Sequence, residues 1–222
     1  INDICYNWCK DGPCTMPSRN IIKEFAPDQY YHVYNRGVEK RIIFVDDQDY
    51  TVFIGLMKKY LVGSDKLRGR HTHKPIGEEV KLLSYCLMPN HFHLLLYQTS
   101  ESGVTKFMRK LATGYAMYFN DRYNRVGTLF QGRYKASHID EDAYIQHISR
   151  YIHMNPDGYS DYPYSSYKYF MSPDKTPNWL RADLLISFFD NDYKEYQAFI
   201  TDYEETAKEL DLIKWQLANN ID

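Results

Sequence analysis

Between residues 27 and 156, segments with strand and helix patterns follow one another in an order that few folds share. The two helical segments, residues 46–61 and 104–123, have apolar residues at helical spacing. The strand segments are rich in aromatic and β-branched residues and cover residues 30–36, 80–87, 91–97 and 134–139. The order strand–helix–strand–strand–helix–strand is the βαββαβ arrangement of ferredoxin-like α+β folds. We therefore expect an antiparallel sheet with helices on one face.

A third helix follows the last predicted strand. Asp140 is the predicted N-cap, and the helix is expected to end near Met154, because Asn155 precedes a proline and such residues avoid the helical conformation. Beyond this point, residues 181–222 predict two or three helices with ten acidic and four basic side chains. We therefore expect a central domain over residues 16–170 and an acidic helical extension over residues 171–222.

The first 15 residues have a different character from the central domain. Cys5, Cys9 and Cys14 lie close together there and could form a disulfide loop or part of a metal clip. Because Met16 resembles a natural start, residues 1–15 are interpreted as an upstream or appended segment. No signal-peptide pattern and no long apolar run is present, so we expect a cytoplasmic protein without a membrane partner.

Charge is distributed unevenly along the chain. The formal net charge is only −2, yet residues 103–139 carry seven basic side chains and one acidic side chain. Such a cluster, interleaved with glycines and aromatic residues, is typical of a surface that neutralises phosphates, although a solvated helix face is the alternative. The candidate nucleic-acid contacts in this segment are Lys106, Arg109, Lys110, Arg122, Arg125, Arg133, Tyr134 and Lys135. His32 and Arg36, on the first strand, are two further candidates.

The most specific chemical signal is His91-Phe92-His93 on the third predicted strand. Alternate residues of a strand point to the same side, so both imidazoles project together while Phe92 packs on the opposite face. Two histidines held in this way form half of a metal site. The alternative is a pair of surface histidines on a half-exposed strand.

A second pair of residues could complete that site. Tyr151 and Asn155 are four residues apart and share a helix face, so a phenol and an amide oxygen could both meet the histidines. Asn155 would then be a third ligand and Tyr151 an attacking group. Two imidazoles and an amide oxygen suit Mg²⁺ or Mn²⁺ better than a closed zinc site. The alternatives are a core role for Tyr151 and an attacking role for Tyr144, while His147 could orient the phenol.

These residues resemble a known family. Residues 88–96, Met-Pro-Asn-His-Phe-His-Leu-Leu-Leu, look like the HUH motif (histidine, hydrophobic, histidine) of single-tyrosine transposases. Residues 127–135 and 150–156 resemble the branch called REP-associated tyrosine transposases. Residues 162–167 are similar to the segment that follows the catalytic helix in that branch. The resemblance covers roughly residues 17–170.

The resemblance implies both a site and a reaction. His91 and His93 would be ligands of Mg²⁺ or Mn²⁺, and Tyr151 would be the nucleophile. Asn155 would complete the site at a position where the insertion-sequence branch usually carries glutamine. The implied activity is metal-dependent cleavage and transfer of single-stranded DNA near hairpins through a 5′-phosphotyrosine intermediate. The implied partner is DNA with REP-like palindromes at a prokaryotic nucleoid, bound by a monomer or a homodimer.

Two other functions are compatible with the same residues. A non-catalytic DNA-hairpin-binding protein would show salt-sensitive binding without a covalent adduct. A two-histidine RNA phosphoesterase would normally need two separate histidine motifs, whereas this sequence shows one. The intact His-x-His and Tyr-x-x-x-Asn motifs favour the transferase.

Overall fold

A computed structural model of the chain describes residues 25–63 and 74–203. The strands of its sheet are β1 (Gln29–Arg36), β2 (Val80–Met88), β3 (His91–Gln98) and β4 (Lys135–Ile139). They lie in the order β2-β3-β1-β4, and all three neighbouring pairs are antiparallel. This is the order that a βαββαβ chain produces, so the predicted α+β, ferredoxin-like sheet is confirmed.

Two long helices cover one face of the sheet. They are α1 (Asp47–Val62) and α2 (Gly103–Arg122), and both were predicted to within two residues at each end. The Phe92 ring of β3 contacts the Phe53 ring of α1, with 5.1 Å between their centroids, and Phe53 in turn packs edge-on against Tyr115 of α2. All three side chains are buried. The main core therefore lies between the sheet and these two helices.

The opposite face is covered by α3 (Asp142–His153), which contacts β2, β3 and β4. The predicted N-cap of this helix was wrong. The chain remains extended through Glu141, which is the N-cap residue and makes no side-chain capping hydrogen bond. The helix therefore begins one residue later than the Asp140 prediction requires.

The chain after α3 adds α4 (Tyr167–Met171), α5 (Ala182–Ile186) and a helix over residues 193–203. These helices agree with the prediction of a helical C-terminal extension. The N-terminal cysteine segment and residues 204–222 lie outside the described residues, as do residues 64–73. Among the helices that are described, none is long and apolar enough to cross a membrane.

The outer edge of β2 is covered by the chain that follows α3. The Leu87 N–H donates to the Tyr164 carbonyl (3.0 Å), and the Ser166 N–H donates to the Tyr85 carbonyl (2.9 Å). Farther along the same edge, the Arg181 N–H donates to the carbonyl of Leu82 (2.8 Å). Buried backbone groups of β2 thus find partners in two later segments of the chain.

A buried carboxylate joins the start of α1 to the end of α2. Asp49 is fully buried and accepts hydrogen bonds from the Val45 N–H (2.8 Å), the Tyr118 hydroxyl (2.9 Å) and the Tyr123 hydroxyl (2.9 Å). It also forms a 2.8 Å ion pair with Arg122. A buried charge is tolerated when it is paired and fully hydrogen-bonded, as here. The cluster therefore fixes how the two helices pack.

Candidate active site

The histidines of β3 lie on the sheet face that α3 covers. His91 and His93 point to this face, and their ring centroids are 5.1 Å apart. The neighbouring strand places Arg36 directly opposite His91 and Tyr34 directly opposite His93. Phe92, between the two histidines, packs into the core on the other face. The alternation predicted for His-x-His is therefore present in the structure.

His91 faces two amide oxygens. Its Nδ1 lies 2.6 Å from Asn90 Oδ1, and its Nε2 lies 3.2 Å from Asn155 Oδ1. Burial lowers the pKa of His91, an effect that the Asn155 contact opposes and the nearby Arg36 charge reinforces. A neutral imidazole has one N–H and cannot donate to both oxygens. Either a rotated Asn155 amide or a cation shared by Nε2 and Oδ1 would satisfy this arrangement.

His93 is paired with a histidine of β1. Its Nδ1 lies 2.9 Å from Nε2 of His32, and the exposed fractions of the two residues are only 5% and 7%. Burial, with smaller contributions from His32 and His91, keeps the pKa of His93 well below its ordinary value. Burial also lowers the pKa of His32 to about 4. Both imidazoles are therefore neutral at pH 7, and the pairing leaves Nε2 as the nitrogen with which His93 could bind a ligand.

Helix α3 brings the predicted tyrosine and asparagine to these histidines. The Tyr151 ring meets the His93 ring edge-on, with 5.3 Å between centroids, and lies 6.1 Å from the His32 ring. Asn155 follows the end of the helix and still reaches His91. His147, one turn before Tyr151, contacts Arg150, with 2.8 Å between His147 Nδ1 and a guanidinium nitrogen. The structure therefore assembles His91, His93, Tyr151 and Asn155 into one cluster.

The donor atoms of this cluster fit a divalent cation. Nε2 of His91, Nε2 of His93 and Oδ1 of Asn155 form a mixed nitrogen and oxygen set, which is compatible with Mg²⁺ or Mn²⁺. The other ring nitrogens are oriented by Asn90 and His32, as is usual for histidines that bind metals. The described residues contain no group of three or more His, Cys, Asp or Glu side chains placed to hold a metal, so the third protein ligand proposed here is an amide, that of Asn155.

Two predicted nucleic-acid contacts lie close to the cluster. Arg36 is adjacent to His91, and its Nε donates a hydrogen bond to the Gln131 side chain. Lys135 places Nζ 5.7 Å from the centroid of the Tyr34 ring, on the same face of the sheet. A strip of cationic side chains therefore borders the histidines on β1 and β4.

Other predicted contacts lie elsewhere on the molecule. Those on α2 are separated from the histidines by the sheet; they are Lys106, Arg109, Lys110 and Arg122. Lys106 is paired with Glu79, and Arg122 is held by Asp46 and Asp49. Arg133 is exposed between β4 and α2, Arg125 donates to the Asn120 side chain, and the Tyr134 hydroxyl lies 3.4 Å from that of Thr105. Their roles in DNA binding stay predictions.

Sequence reasoning did not identify Tyr34 and Asn90 as parts of the site. Tyr34 stacks on both His32 and His93, with ring centroids 5.2 and 5.7 Å apart. Strand alternation could have placed Tyr34 beside His32, since the two are separated by one residue on β1. The βαββαβ order places β1 beside β3, but the register between the two strands is not visible in the sequence, so the contacts of Tyr34 and His32 with His93 could not be anticipated.

The back of α3 is fixed by a buried hydrogen-bond chain. His153 Nδ1 lies 2.6 Å from the Tyr196 hydroxyl, and His153 Nε2 lies 2.7 Å from Ser166 Oγ. Ser166 Oγ accepts a hydrogen bond from the Tyr85 N–H of β2. Burial lowers the pKa of His153 to about 3, so this histidine is neutral. The chain connects β2, α3 and the helix over residues 193–203.

Removing one hydroxyl from this chain tests its contribution to stability. In Tyr196→Phe, the buried Nδ1 of His153 loses its partner, which is expected to lower the free energy of unfolding by about 1–3 kcal/mol. Tyr193→Phe, which removes a hydroxyl from a half-buried tyrosine of the same helix, is the matched control and should change stability by less than about 0.5 kcal/mol. Urea denaturation gives the free energy of unfolding of both variants and of the wild type. Equal stability of the two variants would show that the Tyr196 hydroxyl contributes nothing.

Comparison with solved structures identifies the class of fold. The chain is similar to a REP-associated tyrosine transposase solved bound to a REP hairpin, with a TM-score of 0.50 and 13% sequence identity over 73% of this chain and 90% of that one. It is also similar to a candidate transposase from Deinococcus radiodurans R1, with a TM-score of 0.39 and 18% identity over 59% of this chain and 92% of that one. The first similarity shows that the fold is that of a tyrosine transposase.

The sequence then identifies the family. Residues 41–155 match the model of the IS200-like transposases, and this match spans half of the chain and both candidate motifs. The chain therefore belongs to the IS200-like transposase family, as the HUH resemblance predicted. No curated protein matches the sequence significantly.

Proposed function

We propose that this transposase is a metal-dependent endonuclease and strand transferase that acts on single-stranded DNA near hairpins. The observation that carries the proposal is the meeting of two motifs on one face of the sheet. Tyr151 lies against His93, with 5.3 Å between ring centroids, while Asn155 reaches to 3.2 Å from His91. Membership of a transposase family supplies independent support for DNA cleavage and rejoining.

In the proposed site, His91, His93 and Asn155 hold Mg²⁺ or Mn²⁺. The bound ion would supply Lewis-acid stabilisation of the negative charge on the scissile phosphate and on the departing oxygen. The protein contributes neutral imidazoles, since burial lowers the pKa values of both histidines. It also contributes orientation, because Asn90 and His32 hold the remaining ring nitrogens.

Tyr151 is the proposed nucleophile. Its hydroxyl oxygen forms a bond to phosphorus as the bond from phosphorus to the 3′ oxygen breaks. The phenol gives up its proton and the departing 3′ oxygen gains one, so the products are a 5′-phosphotyrosine and a free 3′-hydroxyl. The energy of the phosphodiester is retained in the covalent bond. A second 3′-hydroxyl can therefore attack the phosphotyrosine, rejoin the strand and restore the phenol.

The proposed partner is single-stranded DNA flanked by a REP-like hairpin. The solved transposase of the same fold was bound to a REP hairpin, which supports this choice. Arg36 and Lys135 border the site and would neutralise backbone phosphates, and Tyr34 offers an aromatic ring near the same strip. Cationic grooves with aromatic side chains are typical of single-strand binding. The substrate would be chromosomal DNA, which in a prokaryote lies in the cytoplasm.

A labelled hairpin oligonucleotide tests the proposal. With Mn²⁺ or Mg²⁺ we expect a covalent protein–DNA adduct that survives denaturing electrophoresis, and peptide mass mapping should locate it on Tyr151. EDTA should abolish the adduct, because the phosphate charge would no longer be stabilised. A hairpin lacking the single-stranded flank serves as the matched control substrate.

Other outcomes would favour the other functions. Salt-sensitive hairpin binding without any adduct in either metal would support a non-catalytic DNA-binding protein. Cleavage of RNA with released products and no protein-bound intermediate would support a two-histidine phosphoesterase. Either result would contradict the transferase proposal.

A further inference from the structure

The pairing of His32 with His93 has a chemical consequence for the site. The two rings lie 2.9 Å apart at His32 Nε2 and His93 Nδ1, inside the sheet face. Tyr34 stacks on both imidazoles, so their positions are fixed by packing as well as by the hydrogen bond. Only 7% of His32 is exposed, which leaves little of it for contact with a DNA backbone.

Exactly one proton can lie between the two paired nitrogens. If His93 donates from Nδ1, its Nε2 carries a lone pair that can bind a cation or accept a proton. If His32 donates from Nε2, the proton of His93 must lie on its own Nε2, and that nitrogen cannot be a ligand. The choice between these tautomers therefore decides whether His93 can take part in the site.

We propose that His32 is a positioning residue that accepts the Nδ1–H of His93 and thereby presents the His93 Nε2 lone pair to the site. This inference rests on the proposed function, in which His93 Nε2 is a ligand. In metal sites the outer partner of a histidine is commonly a carboxylate or a carbonyl oxygen. Here a neutral imidazole takes that place, so the orientation is fixed without adding a negative charge near a DNA phosphate.

The arrangement explains why a histidine is found at this position of β1. A carboxylate at residue 32 would also accept the proton, but it would be buried among rings with a charge that has no cationic partner in the pairing seen here. An aliphatic residue would fill the space without offering an acceptor. An imidazole both stacks and accepts, and it carries no charge when neutral.

Nuclear magnetic resonance of the metal-free wild-type protein tests the tautomer directly. A long-range ¹H–¹⁵N correlation spectrum should show His93 protonated at Nδ1 and His32 protonated at its own Nδ1. A spectrum that shows His93 protonated at Nε2 would overturn the proposal. This readout needs neither metal nor activity, so it decides the role of His32 even if the proposed function fails.

Manganese binding, followed by electron paramagnetic resonance, provides the second test. His32→Phe keeps an aromatic ring but offers no acceptor, and we expect the Mn²⁺ affinity to fall by about 10–100-fold. His32→Gln restores an acceptor oxygen and should recover most of the affinity. His138→Phe, on the opposite sheet face, is the matched control and should bind Mn²⁺ like the wild type.

The outcomes separate this proposal from the broader one. Wild-type Mn²⁺ affinity in a folded His32→Phe protein would refute the role of His32 while leaving the transferase intact. A wild-type protein that neither binds Mn²⁺ nor forms an adduct would refute the proposed function, and the spectrum would still report the tautomer. If His32→Phe does not fold, the tautomer of His93 in the wild-type spectrum alone decides whether His32 has the proposed role.

Discussion

Tyr151→Phe is expected to form no covalent adduct with a hairpin oligonucleotide, a loss of at least about 10³-fold in strand cleavage. The substitution removes the oxygen that would attack phosphorus and retains the ring that packs edge-on against His93. Hairpin affinity should therefore remain close to that of the wild type, as measured by fluorescence anisotropy. Quantitative denaturing electrophoresis with Mn²⁺ measures the adduct.

Tyr144→Phe is the matched control for this prediction. Tyr144 lies on the same helix and is also partly buried, but its phenol is not assigned to the site. The Tyr144→Phe protein should form the adduct at the wild-type rate. An adduct that persists in Tyr151→Phe and disappears in Tyr144→Phe would transfer the nucleophilic role to Tyr144.

Asp49→Ala is expected to cause the largest loss of stability, about 3–5 kcal/mol in the free energy of unfolding. The substitution removes the acceptor of four groups at the junction of α1 and α2, including the guanidinium of Arg122. Arg122 and two tyrosine hydroxyls would then lose a partner at the edge of the core. Urea denaturation followed by circular dichroism gives the free energy.

Asp121→Ala provides the control for the Asp49 prediction. Asp121 is an exposed carboxylate near the end of α2, and its replacement should change stability by less than about 0.5 kcal/mol. A third variant, Asp49→Asn, keeps an acceptor oxygen but removes the charge. Its loss in the free energy of unfolding should lie between those of Asp49→Ala and Asp121→Ala. A loss below about 1 kcal/mol in Asp49→Ala would show that the cluster is not an important source of stability.

The architecture and the two candidate motifs could be predicted because both depend on local geometry. The βαββαβ order follows from hydrophobic periodicity, which differs between strands and helices. The common direction of His91 and His93 follows from strand alternation, and that of Tyr151 and Asn155 from helical spacing. Each of these inferences uses residues that are at most four positions apart.

Features that depend on distant contacts could not be predicted. His32 and His93 are 61 residues apart, and only the register of β1 against β3 brings them together. The basic segment over residues 103–139 forms two groups in space, because the sheet lies between α2 and the histidines. The contact between His32 and His93 depends on strand register, and the division of the basic segment depends on which face of the sheet each element covers. Neither can be inferred from a short stretch of sequence.

The cover of β2 bears on how small a working fragment of this transposase can be. An uncovered edge strand pairs readily with other molecules and leads to aggregation. The partners of this edge come from Tyr164, Ser166 and Arg181, all of them beyond the last candidate ligand at Asn155. A minimal folded unit must therefore extend to at least residue 181, well past the residues that would do the chemistry.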